Sequence, residues 1–253
     1  MLDAQAVLTE EIQAGRALVA RIGRFLFDRH LTDAGGGNIS LRVGDVFCMS
    51  PTLAGQNKQW QLAPEDVLVV SEGGAILYGG GGLTRESAVH FGLHGNFADY
   101  GTAVIHAHPR NLLVFACANM EMPPVMEATR KFGVTPVIEY APAHSPKLGE
   151  RIVATMRGRE AMIAKHAAGT LAPWHGLFLM GKNLQAALDA VERLDTNAYM
   201  IMMSQYVGAS RLLRDERTAM EAAIADFGDE GRVGSRRARR HCPPTLPADT
   251  DPS

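Results

Sequence analysis

Residues 102–109, TAVIHAHP, determine much of the local structure and chemistry that we expect of this chain. The run 102–105 is short, apolar and rich in β-branched residues, which predicts a buried strand. His106 and His108 follow it two positions apart, and alternate side chains of an extended chain point to the same face. Imidazole is the commonest metal-ligating side chain. The pair is therefore either half of a metal site or two hydrogen-bonded histidines at the end of a strand.

Other short apolar runs predict further strands, at residues 46–49, 67–70, 75–77 and 134–140. Residues 168–180 form a longer strand-like segment that contains Trp174, His175 and Gly176. A histidine inside such an apolar run is usually a core residue. The pattern by itself therefore assigns no function to His175.

Helical periodicity and capping signals predict helices at or just after Thr9, Thr84, Pro109, Ser145 and Asn183. The first should end near His30, although Gly15 and Gly23 fall inside its apolar pattern and weaken the prediction. Thr84 is expected to cap the second helix, which would begin with Arg85 and Glu86.

Glu86, His90 and His94 stand four positions apart on one face of this second helix. Glu86 is either a first-turn acid that compensates the helix dipole or a carboxylate directed at the two strand-end histidines. The three residues could also form a metal site of their own, although histidines on such a helix face usually only pack. The sequence leaves these alternatives open.

The composition excludes several classes of function. The chain has 253 residues and a formal net charge of −2, so neither nucleic acid nor an anionic membrane is an expected partner. Its three cysteines are widely spaced without a C-x-x-C pair, which excludes a disulfide framework and a cysteine zinc site. The N-terminus lacks the features of a secretory signal, and the longest stretch without charged residues is shorter than the roughly 20 residues of a membrane span. We expect a soluble cytoplasmic protein.

The length suits one domain, for which we expect residues 1–228. From residue 229 the composition changes to Gly, Arg and Pro, so we expect residues 229–253 to be a disordered tail. Residues 33–40, DAGGGNIS, are either a backbone anion cradle or a flexible turn. Their spacing matches neither the dinucleotide fingerprint nor the P-loop.

Five motifs in sequence resemble the class II aldolase/adducin family. They are GGNIS at 36–40, SPT at 50–52, TRE at 84–86, HAHP at 106–109 and WHG at 174–176 with Gly181. Each is weak alone, but their order and spacing match from about residue 13 to residue 206. The resemblance implies an α/β fold, a three-layer α/β/α domain around a mostly antiparallel central sheet. It also implies a homotetramer with active sites at the subunit interfaces.

The resemblance also implies a metal-dependent active site. His106, His108 and His175 would bind one divalent metal per subunit, for which we expect zinc, with manganese or cobalt as alternatives. Glu86 would be the catalytic carboxylate. The residues implied to bind a small anionic substrate, a sugar phosphate or a carboxylate, are Asn38, Ser50, Thr52, Thr84 and Arg85.

The chain departs from the pattern of sugar-phosphate aldolases in three places. Those enzymes carry Thr-Gly after the proline of the second motif, whereas Leu53 follows Thr52 here. Arg85 stands where they carry the second of two small hydroxyl residues. The tyrosine that they offer from the neighbouring subunit falls near Glu127, which leaves the proton donor unassigned.

Three functions follow from these observations. The first is an aldolase that cleaves a ketose 1-phosphate to dihydroxyacetone phosphate and an aldehyde. The second, favoured by Arg85 and the altered loop, is a decarboxylase of a β-keto acid or a hydroxy-aromatic dicarboxylate, because both reactions build the same kind of anion. The third is a non-catalytic adducin-like interaction module, against which the complete set of three histidines argues.

Overall fold

The computed structural model of the chain describes residues 8–206 and 220–226. The helices are α1 Glu10–Asp28, α2 Ala54–Lys58, α3 Ser87–Phe97, α4 Arg110–Cys117, α5 Pro146–Met156, α6 Glu160–Lys165 and α7 Leu184–Ser204. The strands are β1 Asn38–Val43, β2 Val46–Met49, β3 Leu68–Ser71, β4 Ile76–Tyr78, β5 Ala103–Ala107, β6 Ala167–Ala172 and β7 Gly176–Gly181. Short 3-10 helices cover Pro64–Asp66 and Glu127–Phe132.

The strands form one seven-stranded sheet in the order β4-β3-β2-β1-β5-β7-β6, and every neighbouring pair is antiparallel. Apolar residues of α1, α4 and α7 pack together with one set of strand residues. Apolar residues of α3, α5 and α6 pack with the alternate strand residues, which point to the opposite face of the sheet. This arrangement is the three-layer α/β/α fold that the resemblance implied.

Two glycines allow α1 to lie close to its neighbours. A Cβ atom at Gly15 would lie 2.9 Å from Val43 Cγ2, and one at Gly23 would lie 2.4 Å from Trp60 Cε3. The helix begins as predicted, with Thr9 Oγ1 accepting a hydrogen bond from the Ile12 amide over 3.3 Å. The glycines are therefore packing requirements of a helix that the sequence predicted correctly.

The predicted strand at residues 134–140 is wrong. The segment makes only isolated bridges, Met122 to Thr135 and Val137 to Leu171. Pro136 has no amide proton to donate, so a continuous ladder cannot form across it. The segment instead lies beside β6 in an extended course, with the Ile138 amide donating to Leu171.

The prediction of one strand-like segment at residues 168–180 is also wrong. The structure divides this segment into two strands, β6 and β7. Pro173 and Trp174 interrupt it, and Trp174 adopts a left-handed backbone with φ of 57°. The two strands pair as an antiparallel hairpin, from Ala172 opposite Gly176 onward. The turn carries His175 out of the apolar run.

Thr84 does not cap α3, in contrast to the prediction. The helix begins at Ser87, and Glu86 is its N-cap residue without a capping side-chain hydrogen bond. Thr84 Oγ1 instead accepts a long 3.4 Å hydrogen bond from the Glu86 amide. The Glu86 side chain is therefore free to leave the helix and enter a neighbouring site.

The chain divides into two units, residues 1–203 and residues 204–253. Residues 220–226 of the second unit are helical. The predicted domain boundary at residue 228 and the tail at 229–253 lie outside the described residues and stay predictions. Among the helices of the described part, none has the length and apolar character needed to cross a membrane.

Candidate metal and carboxylate site

Two histidines at the end of β5 turn the same ring nitrogen toward one point. His106 Nδ1 donates to the Leu177 carbonyl over 2.9 Å, and its ring stacks on Phe178 with centroids 4.1 Å apart. His108 Nδ1 lies 3.2 Å from Asp33 Oδ2. A carbonyl and a carboxylate accept only, so both histidines are protonated at Nδ1. In the neutral form of each ring, Nε2 then carries a lone pair.

These lone pairs face each other, which fits a bound cation. The Nε2 atoms of His106 and His108 are 3.2 Å apart. Burial lowers the pKa of His106 to about 3, which favours the ring form whose Nε2 carries a lone pair. Carbonyl or carboxylate contacts at the far nitrogen are also the usual outer partners of metal-bound histidines.

His175 completes the group from the β6–β7 turn. Its ligand atom and those of His106 and His108 all lie within 4.8 Å of one another. Among the described residues, these three histidines are the group of side chains that could bind a metal ion. Three imidazoles that leave a position open are typical of a catalytic divalent-metal site.

Glu86 lies beside the three imidazoles and is buried. Its Oε2 lies 3.2 Å from His106 Nε2, and its Oε1 lies 2.9 Å from His175 Nε2. Burial alone raises the pKa of the Glu86 carboxyl, but the contacts with His106, His175 and Asn38 outweigh it and lower the pKa. Glu86 is therefore a carboxylate at neutral pH, placed to contact a cation or to accept a proton.

The other two histidines of α3 do not join a metal site. His90 and His94 are buried, and both contact Ser40 Oγ, over 2.6 and 2.8 Å. His90 also contacts Asn38 Oδ1, on the side of Asn38 that faces away from Glu86. The helix face Glu86–His90–His94 is thus a hydrogen-bonded row, with only Glu86 at the cluster of three imidazoles.

The residues implied to bind substrate do not all reach the site. A pocket lies over the imidazoles, and Thr52, Thr84 and Arg85 line it. Asn38 also lines it, although its Nδ2 donates to Glu86 Oε2 over 3.0 Å. Ser50 is outside the pocket lining and fully buried, and its Oγ accepts from the Ile39 amide over 3.0 Å. Ser50 therefore holds β1 rather than facing the pocket.

The glycine-rich segment before β1 forms one wall of the pocket. A Cβ atom at Gly36 would lie 1.9 Å from His108 Cε1, so only glycine leaves room for that ring. At Gly35 the nearest atom to a Cβ would be Asp33 Oδ1, at 3.4 Å. The close approach of the His108 imidazole therefore requires glycine at position 36.

Sequence reasoning missed two residues of the site. Asp33 lies in the glycine-rich segment and holds His108, a role that its position in the sequence does not indicate. His144 lies at the pocket with Nδ1 3.9 Å from Glu86 Oε1, in a left-handed backbone with φ of 65°. Its only signal is a position just before the helix-opening Ser145-Pro146.

Comparisons with known proteins agree with this fold. The family described as Class II Aldolase and Adducin N-terminal domain matches residues 17–202. A 3-oxo-tetronate 4-phosphate decarboxylase from Pectobacterium atrosepticum is 27% identical over 208 residues, which cover 79% of this chain and 88% of the relative. An L-fuculose phosphate aldolase from Methanococcus maripaludis is 26% identical over 181 residues, which cover 71% of this chain and 92% of the relative.

Among solved structures, an L-fuculose 1-phosphate aldolase superposes with a TM-score of 0.67 at 20% identity. The match covers 83% of this chain and 97% of that structure. This likeness shows a common fold. The curated relatives carry the names of two different reactions, so they favour neither aldol cleavage nor decarboxylation.

Proposed function

Because this chain belongs to the class II aldolase and adducin family, we propose that it is a divalent-metal-dependent carbon–carbon lyase. We propose first an aldolase that cleaves a ketose 1-phosphate to dihydroxyacetone phosphate and an aldehyde. The observation that carries the proposal is the convergence of three imidazoles beside one buried carboxylate. The ligand atoms of the imidazoles lie within 4.8 Å of one another, and the Glu86 oxygens lie 3.2 Å from His106 Nε2 and 2.9 Å from His175 Nε2.

The roles proposed for the chain's own residues follow from this geometry. A divalent cation bound by His106, His108 and His175 would supply Lewis-acid stabilisation of the negative charge of an enediolate. Glu86 exchanges the proton on the adjacent carbon: it removes this proton in the condensation direction and returns it during cleavage. Its low pKa keeps it in the base form before reaction.

The proposed substrate is small and anionic. Arg85 is exposed at the pocket and can pair with a phosphate or carboxylate, and Thr52 and Thr84 offer hydroxyl groups there. The relatives named for phosphorylated compounds support a phosphorylated substrate for this chain as well.

We also propose zinc as the metal, a cytoplasmic location and a homotetramer with active sites between subunits. Imidazole ligands suit zinc, although manganese and cobalt remain alternatives in this set. Exposed apolar side chains near the end of α7, Tyr199, Met200 and Met203, support a subunit contact. Elemental analysis of protein purified without chelator tests the metal, and light scattering coupled to size exclusion tests the assembly.

The reaction is tested with a panel of ketose 1-phosphates and trapping of the released aldehyde. We expect an aldehyde product that disappears after chelation and returns with added metal. No product from any member of a broad panel would refute the aldolase. A protein that neither contains metal nor takes it up would instead favour a non-catalytic adducin-like module.

A decarboxylase is the second candidate, because Arg85 lines the pocket where sugar-phosphate aldolases carry a small hydroxyl residue. A guanidinium group there suits a substrate that carries a carboxylate besides any phosphate. Incubation with β-keto acids, phosphorylated ones included, and with hydroxy-aromatic dicarboxylates separates the two reactions. Release of carbon dioxide without an aldehyde would establish the decarboxylase.

A further inference from the structure

Behind the pocket, polar side chains of α3 and β1 form one buried hydrogen-bond chain. Ser40 Oγ lies 2.8 Å from His94 Nε2 and 2.6 Å from His90 Nδ1. His90 Nε2 contacts Asn38 Oδ1, and Asn38 Nδ2 donates to Glu86 Oε2 over 3.0 Å. All five side chains are buried. The chain thus connects the apolar layer under α3 to the carboxylate of the site.

The direction of each hydrogen bond can be deduced from the end at Glu86. The carboxylate only accepts, so Asn38 presents Nδ2 to it and Oδ1 to His90, and His90 carries its proton on Nε2. Because burial lowers the pKa of His90 to about 4, its ring is neutral and Nδ1 accepts from the Ser40 hydroxyl. Ser40 then accepts from His94 Nε2–H.

The unpaired nitrogen of His94, at the end of the hydrogen-bond chain farthest from Glu86, agrees with this assignment. A neutral His94 that is protonated at Nε2 has a bare Nδ1, and that nitrogen is buried with no hydrogen-bond partner among the described residues. Every donor in the chain consequently points toward Glu86. Such alignment stabilises the carboxylate, because hydrogen bonds donated to an anion are stronger than those between neutral groups.

Packing alone does not account for these residues. Buried polar groups cost free energy unless each is hydrogen-bonded, and His94 Nδ1 is not. Apolar side chains of similar shape would fill the layer between α3 and the sheet without that cost. What the polar residues achieve is orientation: if the Asn38 amide turned over, its oxygen would face the Glu86 carboxylate.

We propose that His90 is a positioning residue for the lyase reaction. It holds the Asn38 amide in the orientation that donates to Glu86 Oε2, and thereby keeps Oε1 directed at the substrate. Ser40 and His94 select the tautomer of His90 that can do this. The kinetic consequence rests on the proposed function, whereas the hydrogen-bond assignment does not.

Ring tautomers test the assignment without any enzymatic assay. Nitrogen-15 spectra of the full-length protein labelled at histidine separate protonated from bare ring nitrogens, and His90→Asn and His94→Gln identify the two signals by their loss. We expect both residues to be protonated at Nε2 and bare at Nδ1 at neutral pH. A proton on Nδ1 of His90 would overturn the proposal.

Two amide variants test the positioning role. In His90→Gln the amide nitrogen can occupy the place of Nε2 and still donate to Asn38, whereas in His90→Asn the shorter amide reaches only Ser40. We expect His90→Asn to lower kcat by about tenfold to a hundredfold, the usual effect of losing an outer-shell partner, with KM and metal content nearly unchanged. His90→Gln should retain kcat within about threefold of the parent.

Equal kcat in the parent and in folded His90→Asn would refute the positioning role, as would equal losses in both variants. If His90→Asn does not fold, the tautomer spectra and the kcat of His90→Gln still decide. If the parent turns over no substrate, the proposed function fails, while the tautomer spectra still test the assignment. The two failures are therefore distinguishable.

Discussion

At the scale of single residues, the two oxygens of Glu86 have different surroundings. Oε2 accepts a hydrogen bond from Asn38 and lies 3.2 Å from His106 Nε2, whereas Oε1 lies 2.9 Å from His175 Nε2 and 3.9 Å from His144 Nδ1. Asn38 thus fixes Oε2, and Oε1 is the oxygen on the side of His175 and His144. This asymmetry makes Oε1 the atom that we expect to exchange a proton with substrate carbon.

Glu86→Gln should lower kcat by roughly a hundredfold or more, because a general acid–base group is lost while size and packing are kept. Metal content and folding should be retained, because the three histidines remain. In the aldolase case, exchange of the donor ketone's α-proton with deuterated water should also stop. The exposed Glu139, substituted in the same way, serves as the matched control and should behave like the parent. Exchange at the parent rate in Glu86→Gln would exclude Glu86 as the base.

Arg85→Ser should raise KM for an anionic substrate more than it lowers kcat, because a contact with the anionic group exists both before and during the reaction. The change restores the small hydroxyl residue that the resemblance leads one to expect. Steady-state kinetics on the substrate found in the panels provide the measurement. Arg157→Ser, at an exposed position in the loop after α5, controls for the loss of a positive charge. Unchanged KM in Arg85→Ser would remove Arg85 from the binding site.

Residue types and spacing predicted part of this site. The His-x-His spacing predicted that His106 and His108 converge, because the period of an extended chain fixes the direction of alternate side chains. His175 came only from the resemblance, since a histidine in an apolar run has no distinguishing pattern. A motif alone does not show which way a side chain points, as Ser50 illustrates. Its hydroxyl accepts a hydrogen bond from the Ile39 amide and does not line the pocket.

At the scale of elements, helices were predicted better than strand boundaries. Apolar periodicity and capping gave α1 within two residues of its observed end. In contrast, residues 168–180 are largely apolar, so periodicity could not reveal the turn that separates β6 from β7. The left-handed backbone of Trp174 in that turn is a tertiary outcome that no residue-type preference predicts.

Gly36→Ala should weaken metal binding by about tenfold or more, in the range seen when the support of a metal ligand is lost. The new Cβ atom would lie 1.9 Å from the His108 ring and displace it from the other two imidazoles. Gly35→Ala is the matched control, because its Cβ would meet no atom closer than 3.4 Å. Zinc titration of chelator-treated protein measures both variants. Equal affinity in the two would mean that the ring position of His108 does not limit metal binding.

At the scale of the whole molecule, the resemblance predicted the architecture that local patterns could not. Period-two runs identify strands but do not indicate which strands are neighbours. The pairing of β1 with β5 joins Asn38 to His106 across 68 positions, and it brings the glycine-rich segment to the histidines. The helices α1 and α3 pack on opposite faces of this sheet, an arrangement that no single segment specifies.

Buried histidines should make the whole fold sensitive to acid. Burial lowers the pKa of His90 to about 4 and that of His94 to about 3, from the usual 6.5. The unfolded chain therefore binds more protons than the folded chain between these values. The stability that these two histidines contribute is fully present above pH 6.5 and is lost as the pH falls through this window. Each such histidine contributes a slope of up to about 1.4 kcal/mol per pH unit.

His94→Gln should reduce this slope by about 1 kcal/mol per pH unit between about pH 6 and about pH 5, because one proton-binding group is removed. Urea unfolding of chelator-treated protein at several pH values gives the slope, free of any contribution from metal release. Ser40→Ala is the matched control: it removes two hydrogen bonds from the same buried chain but no titrating group. It should lower stability at every pH and leave the slope unchanged. A His94→Gln slope equal to that of the parent would show that His94 does not bind a proton on unfolding in this range.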